Sequence, residues 1–158
     1  MSPIRVLLVD DNPKFIAAAV HFLATLPEVT VVGYALSAQE GLAQAANLQP
    51  NLILMDIAMP NMNGLEATRE LKTWPRVPYV VILTMYDNLE YRAAAKLAGA
   101  DGFVTKSEFG AQLPLLIQAL FGTTLPDTLT ELTDLNNSQN KIDSGQIIKP
   151  VQERSQIL

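Results

Sequence analysis

The stretch RVLLVDDNPKF, residues 5–15, places an apolar run directly before two aspartates and a helix start. The apolar run is typical of a strand buried on both faces. Asn12 followed by Pro13 is typical of a helix N-cap and a first helical position. Asp10 and Asp11 fall between the two elements, and at ~4 Å and an effective dielectric of about 20 their carboxylates would repel by about 4 kcal/mol. We therefore expect either a compensating group or a bend that moves one of them into water.

Outward from this stretch, the same pattern of a strand followed by a helix repeats five times along the chain. Ser37 and Glu40 form a capping box that marks the start of the second helix. Strands that alternate with helices build right-handed βαβ units and a parallel sheet covered on both faces. The sequence therefore predicts an α/β domain with strands 4–9, 29–35, 51–55, 79–83 and 102–105, and helices 13–26, 37–48, 64–74, 88–98 and 112–121.

The composition narrows the function classes. The 158 residues are 49% hydrophobic and carry a net charge of −5 without a run of lysine or arginine, which argues against direct nucleic-acid binding. The absence of cysteine excludes disulfides and thiolate metal sites. No signal peptide and no apolar run of about 18 residues is apparent, so we expect a cytoplasmic protein that does not enter the membrane.

A change of composition after Gly122 predicts the domain organisation. Residues 1–122 carry all the strand and helix patterns, whereas residues 123–158 are rich in Thr, Asn and Gln with scattered charges of both signs. We expect one domain over 1–122, followed by a largely disordered C-terminal tail or linker over 123–158. Leucines at helical spacing make a short helix over 127–135 possible within this tail.

The chemistry-bearing residues stand where the predicted strands end. Asp10 and Asp11 follow the first strand, Asp56 the third, Thr84 the fourth and Lys106 the fifth. In an open parallel sheet these ends meet at one edge, where ligands bind. Carboxylate oxygens suit Mg²⁺, or alternatively Mn²⁺, and an ammonium with a hydroxyl suits a phosphoryl group beside the metal. A carboxylate can also act as a nucleophile and form an aspartyl phosphate, and Asp56 on the middle strand is the best placed.

Four motifs carry a resemblance to a known family: LLVDDNP (7–13), LILMDIAMPNMNG (52–64), VVILTMYDN (80–88) and AGADGFVTK (98–106). Together they resemble the receiver domain of bacterial two-component response regulators, over about residues 4–122. They are most similar to receivers that precede a helix-turn-helix output domain, although we find no such domain in this chain. The resemblance implies a flavodoxin-like, doubly wound (βα)5 fold with strand order 2-1-3-4-5.

The resemblance also implies a role for each residue of the acidic group. Asp56 would accept a phosphoryl group from a histidine kinase or a histidine phosphotransfer protein. Asp11, Asp56 and the backbone carbonyl of Ala58 would ligate Mg²⁺, and Asp10 would act through a water. On this reading the repulsion between the two adjacent aspartates favours occupancy by the cation.

The remaining roles implied by the family concern the switch. Thr84 would hydrogen-bond a phosphoryl oxygen, Lys106 would form a salt bridge to another, and Phe103 stands where the family has an aromatic that swings inward as Thr84 moves. The surface around the fourth helix, fifth strand and fifth helix would then change and contact a downstream protein partner or, in a phosphorylation-dependent homodimer, a second copy. No direct contact with nucleic acid or membrane is expected.

Two other functions stay open at this stage. The chain could be a degenerate receiver that serves only as a protein-interaction module. It could also be a magnesium-dependent phosphatase that works through an aspartyl phosphate, although such enzymes usually need a second acid two residues after the nucleophile, where this chain has Ala58. We favour a signalling protein that is not an enzyme beyond its own phosphotransfer and dephosphorylation. Dinucleotide binding is disfavoured because the first strand-to-helix turn lacks a G-x-G-x-x-G pattern.

Three positions depart from the family's pattern. Ser107 stands where many receivers have a proline in a cis bond, and because a non-proline cis bond costs ~3 kcal/mol we expect a trans bond. Met85 stands where many relatives have a small residue, which affects closure of its loop. Pro114 falls inside the expected fifth helix and removes a backbone donor, so we expect that helix to begin late, near Gln112, or to be kinked.

Overall fold

The computed structural model describes residues 2–122, which belong to a compact unit ending at Gly122. Five strands alternate with five α-helices, and a single 3-10 turn, Lys106–Glu108, precedes the last helix. The strands are β1 (Ile4–Val9), β2 (Val29–Ala35), β3 (Leu52–Asp56), β4 (Tyr79–Thr84) and β5 (Gly102–Thr105). The helices are α1 (Pro13–Leu23), α2 (Ala38–Leu48), α3 (Gly64–Leu71), α4 (Leu89–Leu97) and α5 (Phe109–Phe121).

The strands form one parallel sheet in the order β2-β1-β3-β4-β5, which confirms the predicted topology. The chain runs outward from β1 to the β2 edge, returns to β3 and then continues to the β5 edge. This reversal places β1 and β3 side by side in the centre, with Val9 level with Met55. The residues that follow these two strands therefore meet at one edge of the sheet.

Apolar side chains cover both faces of the sheet. Alternate residues of the central strands point to opposite faces, so that Leu8 and Leu54 pack in one cluster while Leu7 and Ile53 pack in the other. The first cluster includes buried residues of α1 and α5, and the second includes buried residues of α2, α3 and α4. The continuous apolar runs in the sequence are therefore strands with both faces in the core.

Side-chain caps fix several helix starts as expected. Asn12 accepts hydrogen bonds from the backbone N–H groups of Lys14 and Phe15, and the Ser37 hydroxyl accepts one from Glu40. Helices α1 and α3 end three residues earlier than the predicted 26 and 74. The residues that continue their apolar pattern, Leu26 and Trp74, lie just beyond the helix ends and pack against the two cores from there.

The fifth helix corrects a prediction. It begins at Phe109, not near Gln112, and Pro114 lies inside it. The proline cannot donate the backbone hydrogen bond that would reach the carbonyl one turn earlier. The helix nevertheless forms because Phe109 and Leu113 before the proline and Ile117 after it are all buried in the core shared with α1.

Two further predictions concern membranes and the tail. Within residues 2–122, no helix has the length and apolar content needed to cross a lipid bilayer. The predicted tail over 123–158, with its possible helix over 127–135, lies outside the described residues.

Candidate functional site

The structure brings the predicted polar residues together at the carboxyl edge of the sheet. Asp10 directly follows β1, Asp56 and Thr84 are the last residues of β3 and β4, and Lys106 directly follows β5. Asp11 stands at the start of the turn that leads into α1. Parallel strands of similar length end at the same level, and this places all five residues on one rim.

A buried ion-pair network links three of these side chains. The Lys106 ammonium lies 2.6 Å from Asp10 Oδ2 and 3.5 Å from Asp56 Oδ1. Asp10 is 0% exposed and Asp56 only 4% exposed. Apart from this ion pair, Asp10 Oδ2 has no hydrogen-bond partner among the described residues, whereas Oδ1 accepts one from the backbone N–H of Asn12. Lys106 therefore supplies the positive charge that was expected to compensate the repulsion between Asp10 and Asp11.

The three aspartates form a cluster of oxygen ligands. One carboxylate oxygen from each of Asp10, Asp11 and Asp56 lies within 4.8 Å of the others, and Asp11 is exposed to solvent while the other two are buried. Receiver domains typically bind Mg²⁺ in an acidic pocket, and an all-oxygen donor set with one open side fits a hard cation that keeps several waters. Ala58, whose carbonyl was predicted as a further ligand, lies two residues beyond Asp56 in the loop before α3 and is itself exposed, between the buried Ile57 and Met59.

The environment of Asp56 disfavours its charged form. Burial, and next the nearby Asp10 carboxylate, raise the pKa of Asp56 to about 6, against the lowering effect of Lys106; Asp11 raises it further. The ionised form of such a carboxylate is stabilised when a cation enters the cluster, because the added positive charge offsets both the cost of burial and the repulsion by like charges. The charge balance of the site therefore favours binding of a divalent ion.

Thr84 and Phe103 lie on the same face of neighbouring strands. Thr84 is level with Thr105, and Ile82, two residues earlier, is level with Phe103. The Thr84 hydroxyl oxygen lies 3.2 Å from both the backbone nitrogen and the carbonyl oxygen of Tyr86, so it faces the loop between β4 and α4. The structure thus places the predicted switch residues diagonally across neighbouring strands, on the face covered by α4.

Two residues of the site were not predicted from the sequence. The Phe15 ring lies under the Lys106 ammonium, which is 4.7 Å from the ring centroid, as in a cation–π contact. A Cβ atom added to Gly64 would lie 1.9 Å from the carbonyl oxygen of Asp56, so only glycine allows α3 to start this close to β3. Neither residue was assigned a role at the site from the sequence.

Two of the three departures from the family's pattern, at Ser107 and Met85, lie at the rim. No cis peptide occurs within residues 2–122, so the bond between Lys106 and Ser107 is trans, as predicted. Met85 is 66% exposed and projects from the loop that follows β4. This loop therefore carries a large apolar side chain beside the site.

The profile of the response regulator receiver domain matches residues 6–118. NarL, a nitrate/nitrite response regulator protein of Escherichia coli (strain K12), is 35% identical over 104 residues, covering 66% of this chain and 48% of NarL. The response regulator GacA of Pseudomonas viridiflava is 39% identical over 118 residues, covering 74% of this chain and 53% of GacA. The chain thus spans about half the length of these curated relatives.

Not every relative is named as a response regulator. A protein-glutamate methylesterase/protein-glutamine glutaminase of Myxococcus xanthus (strain DK1622) is 39% identical over 99 residues, covering 62% of this chain but only 28% of that enzyme. The similarity is therefore to a minor part of the enzyme's length.

Solved structures agree with the sequence matches. A LuxR-family two-component response regulator from Aurantimonas sp. SI85-9A1 superposes with a TM-score of 0.72 at 30% identity, covering 85% of this chain and 99% of that one. The response regulator domain of Thermotoga maritima CheB gives 0.70 at 26%, covering 78% and 99%. The resemblance carried by the four motifs is confirmed, and the chain belongs to the response regulator receiver domain family, with its flavodoxin-like fold.

Proposed function

We propose that Asp56 accepts a phosphoryl group and that the receiver acts as a phosphorylation-dependent switch. The observation that carries the proposal is the placement of Asp56, a buried carboxylate within reach of Lys106 and inside a cluster of oxygen ligands. With phosphohistidine as the donor, a carboxylate oxygen of Asp56 attacks phosphorus, an O–P bond forms, and the P–N bond breaks. The departing imidazole keeps the electron pair and takes a proton. The donor would be a histidine kinase or a phosphotransfer protein.

We propose Mg²⁺ as the cofactor, with Mn²⁺ as a substitute. Asp11 and Asp56 and the carbonyl of Ala58 would hold the ion directly, and Asp10 would hold one of its waters. When bound, the ion supplies positive charge that offsets the negative charge of the incoming phosphoryl oxygens. Lys106 would hold a further phosphoryl oxygen by a charge-assisted hydrogen bond.

The switch would work through Thr84 and Phe103. A phosphoryl group adds negative charge and acceptor oxygens, which would draw the Thr84 hydroxyl away from Tyr86 and open space on the α4 face into which Phe103 can turn. The partner surface would be the face formed by α4, β5 and α5. Leu89 and Leu97 of α4 are 85% and 87% exposed, which supports this face as a site for a downstream protein or for a phosphorylation-dependent homodimer.

The domain assignment belongs to the same proposal. Residues 1–122 would be the receiver, and residues 123–158 would be a tail or linker that follows it. We propose that this part of the chain is a cytoplasmic signalling protein rather than an enzyme, with no direct contact to nucleic acid or membrane.

The decisive experiment is phosphorylation by a small-molecule donor. With acetyl phosphate and Mg²⁺, we expect the wild type to gain the mass of one phosphoryl group and Asp56→Asn to gain none, because an amide is a poor nucleophile. Glu70→Gln, which neutralises an exposed acid on α3, should label like the wild type. Intact-protein mass spectrometry measures the label. Equal labelling of Asp56→Asn would remove Asp56 from its assigned role.

The same experiment distinguishes the two other functions. Continuous release of phosphate from small phosphoesters would indicate a phosphatase that turns over its substrate. A wild type that neither binds Mg²⁺ nor takes up phosphate would indicate a degenerate receiver that acts only as an interaction module. Sizing of the labelled and unlabelled protein would test the proposed homodimer.

A second prediction tests the metal site. Asp11→Asn is expected to weaken Mg²⁺ binding at least tenfold, because one charged ligand of a weakly coordinated ion is lost. Asp11 is exposed, so the fold should remain intact. Isothermal titration with MgCl2 measures the affinity, with Glu70→Gln again as the matched control. An unchanged affinity for Asp11→Asn would exclude this residue from the site.

A further inference from the structure

Arg92 of α4 makes two contacts that together tie the β4–α4 loop to β5. Its guanidinium binds Asp87 through two nitrogens, with Nε 2.5 Å from Oδ1 and Nη2 3.0 Å from Oδ2. The same guanidinium lies over the Phe103 ring, with Cζ 4.6 Å from the ring centroid. We propose that Arg92 is a positioning residue that holds Phe103 and the loop in the arrangement seen here and so opposes the phosphorylated one. This inference rests on the proposed function.

We call the contacts of Arg92 with Asp87 and Phe103 the clasp. A continuous path of contacts connects the clasp to the site. The Thr84 hydroxyl meets the backbone of Tyr86, and Asp87 is the next residue along the same loop. Asp87 is bound to Arg92, and Arg92 covers Phe103. Thr84 and Phe103 lie on the same face of neighbouring strands, so the path returns to the sheet one strand from where it began.

The contacts of Arg92 with Asp87 and with Phe103 would both have to change when Thr84 moves toward a phosphoryl group. The Thr84 hydroxyl would lose its hydrogen bond with the backbone of Tyr86, and the loop that carries Asp87 would shift. Phe103 would turn from beneath the guanidinium and lose the attraction between the cation and the ring face. Since the clasp forms only in the present arrangement, it stabilises that arrangement against the other.

The charges of the pair support the geometry. The side-chain hydrogen bond between them lowers the pKa of Asp87 and raises that of Arg92, so both groups remain ionised through the neutral range. The planar guanidinium is suited to this double role, because its edge matches a carboxylate while its face stacks on an aromatic ring. A lysine at this position would supply only one of the two contacts.

The test compares Mg²⁺ with beryllofluoride, which occupies the place of a phosphoryl group. Arg92→Met keeps the length and apolar bulk of the side chain and removes the positive charge on which both contacts depend. We expect its apparent beryllofluoride affinity, in saturating Mg²⁺, to rise roughly two- to fivefold, the effect of losing one exposed cation–π contact. Its Mg²⁺ affinity should not change. Arg69→Met, on the exposed side of α3, is the matched control and should leave both affinities unchanged.

A second variant separates the two halves of the clasp. Asp87→Asn breaks the charge pairing but leaves the guanidinium, and we expect a smaller increase in beryllofluoride affinity. Unchanged or weaker beryllofluoride binding by Arg92→Met, with normal binding by the wild type, would overturn the clasp and leave the proposed function intact. A wild type that binds Mg²⁺ but no beryllofluoride would overturn both. A Mg²⁺ affinity that shifts in parallel would point to a general structural effect and also overturn the clasp.

Discussion

Replacement of Lys106 by methionine is expected to lower the free energy of unfolding by about 3 kcal/mol at pH 7.5 in EDTA, as when one partner of a buried ion pair is removed. Lys106 supplies the ammonium that contacts both Asp10 and Asp56. Methionine keeps the unbranched stem beside Phe15 but leaves the fully buried Asp10 without its counter-charge. Urea denaturation measures the difference.

Two further variants test whether the loss of stability comes from the charge of Lys106 or from its packing. Lys14→Met, at an exposed position of α1, should change stability by less than about 0.5 kcal/mol, as is usual for surface substitutions. In an Asp10→Asn background, the effect of Lys106→Met should shrink by at least about 1 kcal/mol, because the two residues are in direct contact. An equal loss in both backgrounds would show that the lysine contributes by packing and not by its charge.

Asp56→Asn is expected to raise the free energy of unfolding in EDTA, by about 1 to 3 kcal/mol above pH 6. The pKa of Asp56 is raised from 3.8 to about 6, so the folded state resists ionisation of this group. The stability that the neutral form contributes is present below about pH 4 and is lost as the pH rises through 6. At about 1.4 kcal/mol per pKa unit, the whole shift corresponds to about 3 kcal/mol. Asparagine stays neutral and avoids this loss.

The pH profile and the effect of Mg²⁺ both test this prediction. The advantage of Asp56→Asn should vanish near pH 4, where the wild-type carboxyl is itself neutral. Saturating Mg²⁺ should stabilise the wild type more than the variant, since an ion that binds only the folded state adds stability in proportion to its affinity. If the variant were less stable than the wild type at pH 7.5 in EDTA, burial and the like charges around Asp56 would not outweigh its interaction with Lys106. Glu70→Gln should show no comparable pH dependence.

Most of the fold is predictable from the sequence because the strands carry runs of apolar residues between clear helix caps. The predicted strand over 51–55 differs from β3 by one residue at each end, and Asn12 and Ser37 cap the helices they were expected to cap. The errors occur where tertiary packing overrides a local rule. Proline is a poor helix-interior residue, yet Pro114 lies in α5 because buried residues on both sides hold the helix against the core.

The site is predictable in its composition and less so in its contacts. A rule about strand ends was sufficient to gather Asp10, Asp56 and Lys106, since strand topology alone determines which ends meet. No such rule identifies Phe15, which contacts Lys106 from α1, or Arg92, which contacts Phe103 from α4. Their contacts depend on helix rotation and rotamer choice, which the sequence does not state. The roles assigned to the site residues remain predictions.

The close approach of Gly64 to the carbonyl of Asp56 makes the packing on the two sides of Asp56 different. On the α3 side there is no spare room, since even one methyl group would overlap the backbone that carries the carboxylate. On the β4 side, the Thr84 hydroxyl meets only the backbone of a surface loop. Asp56 thus has tightly packed backbone on the α3 side and a surface loop on the β4 side. For the phosphorylation proposed at Asp56, this one glycine therefore favours displacement on the β4 side, toward α4, over displacement on the α3 side.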